Sequence, residues 1–252
     1  MSGAPPEIVV EASADELAAT AAGRLAATLT AALAASPVAH LGVTGGGILE
    51  QTMRAVRDLP ARDEVAWHRV HVWWGDERFV PADSDDRNDT AAFAALFDHL
   101  PVDPAFVHRM PSTDSGYGDD AEAAAAAYAQ WLAELAEPGE AVPRFDAMLL
   151  GIGPDGHCAS LFPNHPGTHE TDAAVIGVHN SPKPPPTRLS LTFPSLDAAR
   201  EVWFLASGSG KADAVARAVH GTDRVAVPSS GPKGRERTLW LLDQDAAAQL
   251  SE

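Results

Sequence analysis

Leu149-Leu150-Gly151-Ile152-Gly153-Pro154-Asp155-Gly156-His157-Cys158-Ala159-Ser160-Leu161-Phe162-Pro163 is the stretch on which the reading turns. The apolar run from Phe145 to Leu150 reads as a buried strand. It passes into a turn built from Gly151, Gly153, Pro154 and Gly156, which carries Asp155 and His157. Side chains that follow a buried strand through a glycine turn lie at the carboxyl edge of a sheet, where open α/β sheets bind ligands. Histidine is the side chain best matched to accepting a proton near neutral pH, so His157 is the candidate general base. Asp155 has two readings. It can orient the imidazole and stabilise the imidazolium, or it can cap a short helix starting near Gly156.

The same strand-turn-helix pattern recurs on both sides. Val38 to Val43 is an apolar strand followed by Thr44-Gly45-Gly46-Gly47 and then by helical spacing from Ile48 to Arg57. That order points backbone amides and a helix N-terminus at an anion, and glycines let the backbone come close. Val70 to Trp74 is a strand that runs into Gly75-Asp76-Glu77-Arg78-Phe79-Val80-Pro81. Asp86 or Asn88 is expected to cap a helix through His99, and Ala121 to Glu137 is expected to be helical. Ala174 to His179, Leu189 to Phe193, Glu201 to Ala206 and Thr238 to Leu242 read as further strands. Asp243 is expected to cap a terminal helix. At the other end, Glu7 to Ala12 reads as a short edge strand. Ser13 to Glu16 is a capping box for a long alanine-rich helix that stops before Pro37. The pattern predicts an α/β fold: a mostly parallel sheet flanked by helices on both faces, Rossmann-like, in a single domain spanning 1–252.

Composition narrows the function. The chain has 252 residues and a formal net charge of −17, which repels nucleic acid and anionic membranes, so neither is expected as a partner. Cys158 is the only cysteine, so no intramolecular disulfide can form. No cleavable signal pattern stands at the start, and a cytoplasmic protein is expected. Against this acidic background Arg78, Lys183, Arg188 and Lys211 all fall in loops near strand ends. A basic cluster there predicts a small anionic ligand, and with Thr44 to Gly47 a phosphorylated metabolite.

Three tempting motifs fail on inspection. Gly151 to Gly156 spells G-x-G-x-x-G, with Glu170 about twenty residues on as the dinucleotide fingerprint wants. Yet Pro163 truncates any following helix and Pro154 removes an amide from the turn, so a dinucleotide is not expected. Gly210-Lys211 resembles the end of a P-loop, but Ala212 stands where a hydroxyl should hold magnesium. Lys211 remains a candidate phosphate contact. His165 and His169 have i,i+4 spacing broken by Pro166-Gly167, so no metal site is expected. Cys158 reads as a small buried apolar residue.

Gly75 to Pro81, Gly151 to Pro163 and Ser181-Pro182-Lys183-Pro184-Pro185-Pro186-Thr187-Arg188 together resemble the 6-phosphogluconolactonases of the glucosamine-6-phosphate isomerase/deaminase superfamily. The resemblance runs from about Val38 to the C-terminus. It implies hydrolysis of 6-phospho-D-glucono-1,5-lactone to 6-phosphogluconate without cofactor or metal, so the expected partner is a phosphorylated sugar lactone. His157 matches the family's catalytic histidine, Asp76 and Arg78 its aspartate-glutamate-arginine motif, Lys211 a basic residue near the phosphate, and Thr44 to Gly47 its phosphate loop. Gly47-Ile48 occupy positions where Ser-Thr is common, which leaves the backbone cradle. The deaminases of the superfamily carry a glutamate a few residues after the histidine, where this chain has Phe162, and they lack an arginine at Arg78. Sugar-phosphate sensors of this fold carry a DNA-binding segment ahead of it, for which the N-terminal helix is too short and too acidic.

Overall fold

The computed structural model describes residues 5–250. Ten strands and six helices alternate along it: β1 (Glu7–Glu11), α1 (Ala14–Ala35), β2 (Ala39–Val43), α2 (Gly47–Asp58), β3 (Val70–Trp74), β4 (Asp76–Arg78), α3 (Asn88–Ala95), β5 (Val107–His108), α4 (Ala121–Glu134), β6 (Ala147–Gly151), β7 (Val175–Val178), β8 (Arg188–Leu191), α5 (Phe193–Leu196), β9 (Glu201–Ala206), α6 (Ala212–His220) and β10 (Arg237–Asp243). Seven strands form a parallel sheet in the order β1-β10-β9-β6-β2-β3-β5. β3 and β9 are buried at every position, which for a strand means cover on both faces. The expected parallel α/β architecture is therefore present. A second sheet, antiparallel and ordered β4-β8-β7, was not foreseen.

Strand order locates the site. β2, β3 and β5 lie on one side of the β2–β6 boundary, and β6, β9 and β10 on the other. Loops leaving the carboxyl ends of β2 and β6 therefore diverge and open a crevice, the usual ligand position in such sheets. The Thr44 hydroxyl spans that boundary. It donates to the Leu149 carbonyl and accepts from the Gly151 amide, each at 3.2 Å.

α1 forms because its leucines and alanines repeat at helical spacing: Leu17, Leu25 and Leu29 are buried, each contributing about 1.5–3 kcal/mol. It is long and apolar enough to cross a membrane by length and composition, with a mean hydropathy of 1.4, but half of that span is buried against α2 and β10. The helix stops at Ala35 with Ser36 as its C-cap, before Pro37 as expected. The capping box is only half formed. Ser13 Oγ accepts from the Glu16 amide at 3.2 Å, but Glu16 returns its bond to the Ala12 amide at 3.3 Å.

Three other expectations need correction. Neither Asp86 nor Asn88 caps α3, which starts at Asn88 and ends at Ala95, followed by a separate short turn at Phe97–His99. Its first amides are held by Glu77 from β4, and a side chain distant in sequence cannot be found by a local capping rule. No helix follows Gly156, because Ala159 adopts φ 47°, a left-handed backbone that ends helical propagation. After Asp243 the chain makes turns rather than a terminal helix. Asp243 still acts as a cap there, accepting from Ala246 at 2.8 Å and from Gly208 at 3.0 Å.

Candidate active site

A cavity of about 410 Å³ opens at the carboxyl edge of the parallel sheet. Each predicted site residue except Asp155 lines it: Thr44, Gly45, Gly46 and Gly47 after β2, Asp76 and Arg78 from β4, His157 after β6, Lys183 and Arg188 at the proline-rich loop, and Lys211 before α6. Asp155 reaches it through His157. Its Oδ1 lies 2.6 Å from His157 Nδ1. The expected pairing of the two is present, and the helix-capping role of Asp155 is not. The turn is tight because Gly153 donates to the His157 carbonyl at 2.8 Å and Gly156 to the Gly153 carbonyl at 2.9 Å. A Cβ on Gly153 would overlap the imidazole itself, so the turn needs glycine there.

Since carboxylates accept, the short contact places the imidazole proton on Nδ1 and leaves Nε2 with its lone pair. Burial alone would raise the Asp155 carboxyl. The hydrogen bond from His157, with further electrostatic contributions from His157 and the Lys183 ammonium, outweighs burial and holds the acid well below the usual carboxylate range. The Phe162 ring packs 4.7 Å from the imidazole, tilted by 44°. An apolar ring thus occupies this flank of His157.

Two cations are fixed by carbonyls. Lys211 Nζ donates to the Ile152 carbonyl at 2.7 Å; burial and the nearby Lys183 lower its pKa, against the pull of Asp155. Arg188 is 5 % exposed and donates to three carbonyls of the proline-rich loop: Pro185 at 2.7 Å, Pro184 at 3.0 Å and Lys183 at 3.2 Å. Burial lowers its pKa, Asp76 opposes that shift, and Arg78 adds to it. These bonds clamp the loop that carries Lys183 to the start of β8. Thr44 is placed as predicted, but its hydroxyl is committed to Leu149 and Gly151 of β6, so this loop offers a ligand its backbone amides.

Sequence reasoning missed Asn88 and Ser160. Asn88 lines the cavity, donates to the Asp76 carbonyl at 2.9 Å and accepts from Arg78 Nη1. Ser160 is fully buried and donates to Asp76 Oδ2 at 2.7 Å. Both are ordinary polar residues in sequence, and their importance comes only from the partners the fold brings. Cys158 is buried, and burial pushes its thiol up, with Asp76 and Asp197 adding to the effect. His165 Nε2 is engaged with the His179 carbonyl at 2.8 Å, and among the described residues no group of three histidine, cysteine or acidic side chains converges as a metal site would require.

Residues 12–240 match the family model described as glucosamine-6-phosphate isomerases/6-phosphogluconolactonase. The chain belongs to this family. It is 51 % identical over 247 residues to the 6-phosphogluconolactonase of Streptomyces coelicolor, covering 97 % of this chain and 95 % of that one. It is 50 % identical over 209 residues to the 6-phosphogluconolactonase of Mycobacterium tuberculosis, covering 82 % of this chain and 83 % of the other. Among solved structures, the 6-phosphogluconolactonase of Trypanosoma brucei superposes with a TM-score of 0.82 at 29 % identity, covering 98 % of this chain and 100 % of that one.

Proposed function

We propose that the chain hydrolyses 6-phospho-D-glucono-1,5-lactone to 6-phosphogluconate, the second step of the oxidative pentose phosphate pathway, with His157 as the general base. The similarity to named 6-phosphogluconolactonases at about half identity supports the reaction. One observation carries the assignment of the base: the Asp155–His157 contact of 2.6 Å at the wall of a cavity that also holds Arg78, Lys183, Arg188 and Lys211.

The δ-lactone is an ester, so attack requires a deprotonated water and donors for the oxyanion. His157 Nε2 takes a proton from water as its oxygen bonds to the lactone carbonyl carbon. Asp155 holds the resulting imidazolium. The tetrahedral intermediate collapses with cleavage of the bond to the ring oxygen, and the imidazolium returns its proton to that oxygen. Arg78 or the loop amides receive the oxyanion. The amides of Gly45 to Gly47 at the start of α2, together with the cations, hold the phosphate and so fix the ring. A phosphorylated metabolite as substrate fits a soluble, cytoplasmic protein. Phe162 beside His157 speaks against the deaminase chemistry, which needs a second acid–base group there.

The test is hydrolysis of freshly generated 6-phosphogluconolactone with the spontaneous rate subtracted. Wild type accelerates it, and His157→Ala loses on the order of a hundredfold or more of that acceleration while still binding 6-phosphogluconate. Equal acceleration by both removes His157 from the mechanism. No acceleration by either turns the assignment to isomerisation and deamination of glucosamine 6-phosphate.

A further inference from the structure

β4 is three residues long, and its side chains alternate. Asp76 and Arg78 line the cavity, whereas Glu77 points the other way and is fully buried. The Glu77 carboxylate is saturated by amides. Oε1 accepts from Asn88 N at 2.7 Å and from Arg78 N at 2.8 Å, and Oε2 from Asp89 N at 2.9 Å. A carboxylate from another strand thus occupies the N-terminus of α3, where backbone amides and the helix dipole favour an anion. The residue it seats is Asn88. That side chain turns back to the cavity, donating from Nδ2 to the Asp76 carbonyl at 2.9 Å and to Asp76 Oδ1 at 3.3 Å, and accepting from Arg78 Nη1. A Cβ on Gly45 would overlap the Asn88 amide, so the glycine of the phosphate loop is shaped around the same side chain.

We infer that Asn88 is a positioning residue that holds both cavity-facing charges of β4, the Arg78 guanidinium and the Asp76 carboxylate, and that Glu77 acts one step further back by seating Asn88. The inference deepens the lactonase reading and rests on it for the identity of the reaction. One amide can serve two opposite charges because its oxygen accepts from the guanidinium while its nitrogen donates to the acid. Glu77 supplies what α3 lacks, since Arg87 at its N-cap position has no side-chain oxygen to offer.

The variants are Asn88→Ala and Glu77→Gln, each measured for kcat and KM on 6-phosphogluconolactone beside a thermal melt. Gln preserves the volume of a carboxyl that burial pushes up to about 7 against the pull of Arg87, and the melt reads whether the fold is kept, but its amide faces the Asp89 N–H donor to donor. Asn88→Ala lowers kcat on the order of tenfold to a hundredfold, the range expected when a catalytic group is misplaced by about 1 Å, with KM changed less than about threefold. Glu77→Gln lowers kcat in the same direction by less. A folded Asn88→Ala protein with wild-type kcat, or with a raised KM and unchanged kcat, overturns the positioning role. Loss in Asn88→Ala with none in Glu77→Gln overturns the Glu77 step. A crystal structure of Asn88→Ala reads the inference without reference to the reaction. Displaced Arg78 and Asp76 side chains support it, and unmoved ones overturn it even if the wild-type protein acts on another sugar phosphate.

Discussion

Replacing Asp155 by asparagine changes one charge and no volume, and the consequence follows from the 2.6 Å contact with His157. With a carboxylate the imidazole must present Nδ1–H, which leaves Nε2 as the base. An amide can instead donate from its NH2 group to an Nδ1 that carries the lone pair, which moves the imidazole proton to Nε2, where it blocks proton abstraction. Even in the correct tautomer the imidazolium loses its anionic partner. Hydrogen bonds to charged groups contribute about 1.5–3 kcal/mol net. Since the Asp155 side chain is 34 % exposed, solvent screening places this pair towards the lower part of that range. At 1.36 kcal/mol per decade the expected loss in kcat is about tenfold to thirtyfold. Buried triads lose about ten thousandfold from the same change. The assay is lactone hydrolysis with the spontaneous rate subtracted, paired with calorimetric binding of 6-phosphogluconate, which should stay within about threefold because no phosphate contact is touched. A variant that keeps wild-type kcat would show that Asp155 does not set the state of His157. A loss confined to product affinity would make it a binding residue.

Two further outcomes are expected. Arg188→Ala removes the donor shared by the Lys183, Pro184 and Pro185 carbonyls, so the proline-rich loop loosens and Lys183 leaves the substrate; KM should rise about tenfold with kcat within about threefold, and an unchanged KM contradicts the clamp. The stacked histidines His40, His71 and His108 should make the fold acid-sensitive. Burial lowers all three, His108 to about 4 and His40 to about 3; His71 and His108 also depress His40, His71 depresses His108, and Asp103 partly opposes the shift at His71. Unfolded histidines near 6.5 bind protons that the folded ones refuse, so stability is full above pH 6.5 and declines below it, by up to about 1.4 kcal/mol per pH unit for each histidine. Urea unfolding at pH 7 and pH 5 measures the slope, and a His108→Gln variant with an undiminished slope refutes the assignment.

Much of the parallel sheet was legible because its inner strands are largely buried and read as apolar runs that pass into glycine or charge. Position near strand ends predicted that Arg78, Lys183, Arg188 and Lys211 would meet, as they do, although Arg78 and Arg188 stand in β4 and β8 of the second sheet and not in loops. The second sheet was not legible. β4 is three charged residues, too few to show alternation, and it pairs with β8 at Asp76↔Ser190, a partner no local pattern announces. The stop at Ala159 was hidden for the opposite reason, because a left-handed φ at an alanine runs against its own helix propensity and is imposed by tertiary context.

The Asp76-Glu77-Arg78 motif shows where sequence reading stops. Its three charges look equivalent in the chain, and a resemblance can mark all three as belonging to a substrate site. The strand geometry separates them, since successive side chains must take opposite faces. Two charges can face a ligand only if the third enters the core, and a charge in the core must be met by donors. Here the donors are the first amides of α3, and the helix they open begins with the residue that grips the outer two. The burial of Glu77 is thus the condition that lets β4 present Asp76 and Arg78 together, and its partners explain why a helix starts at Asn88 with no capping side chain of its own.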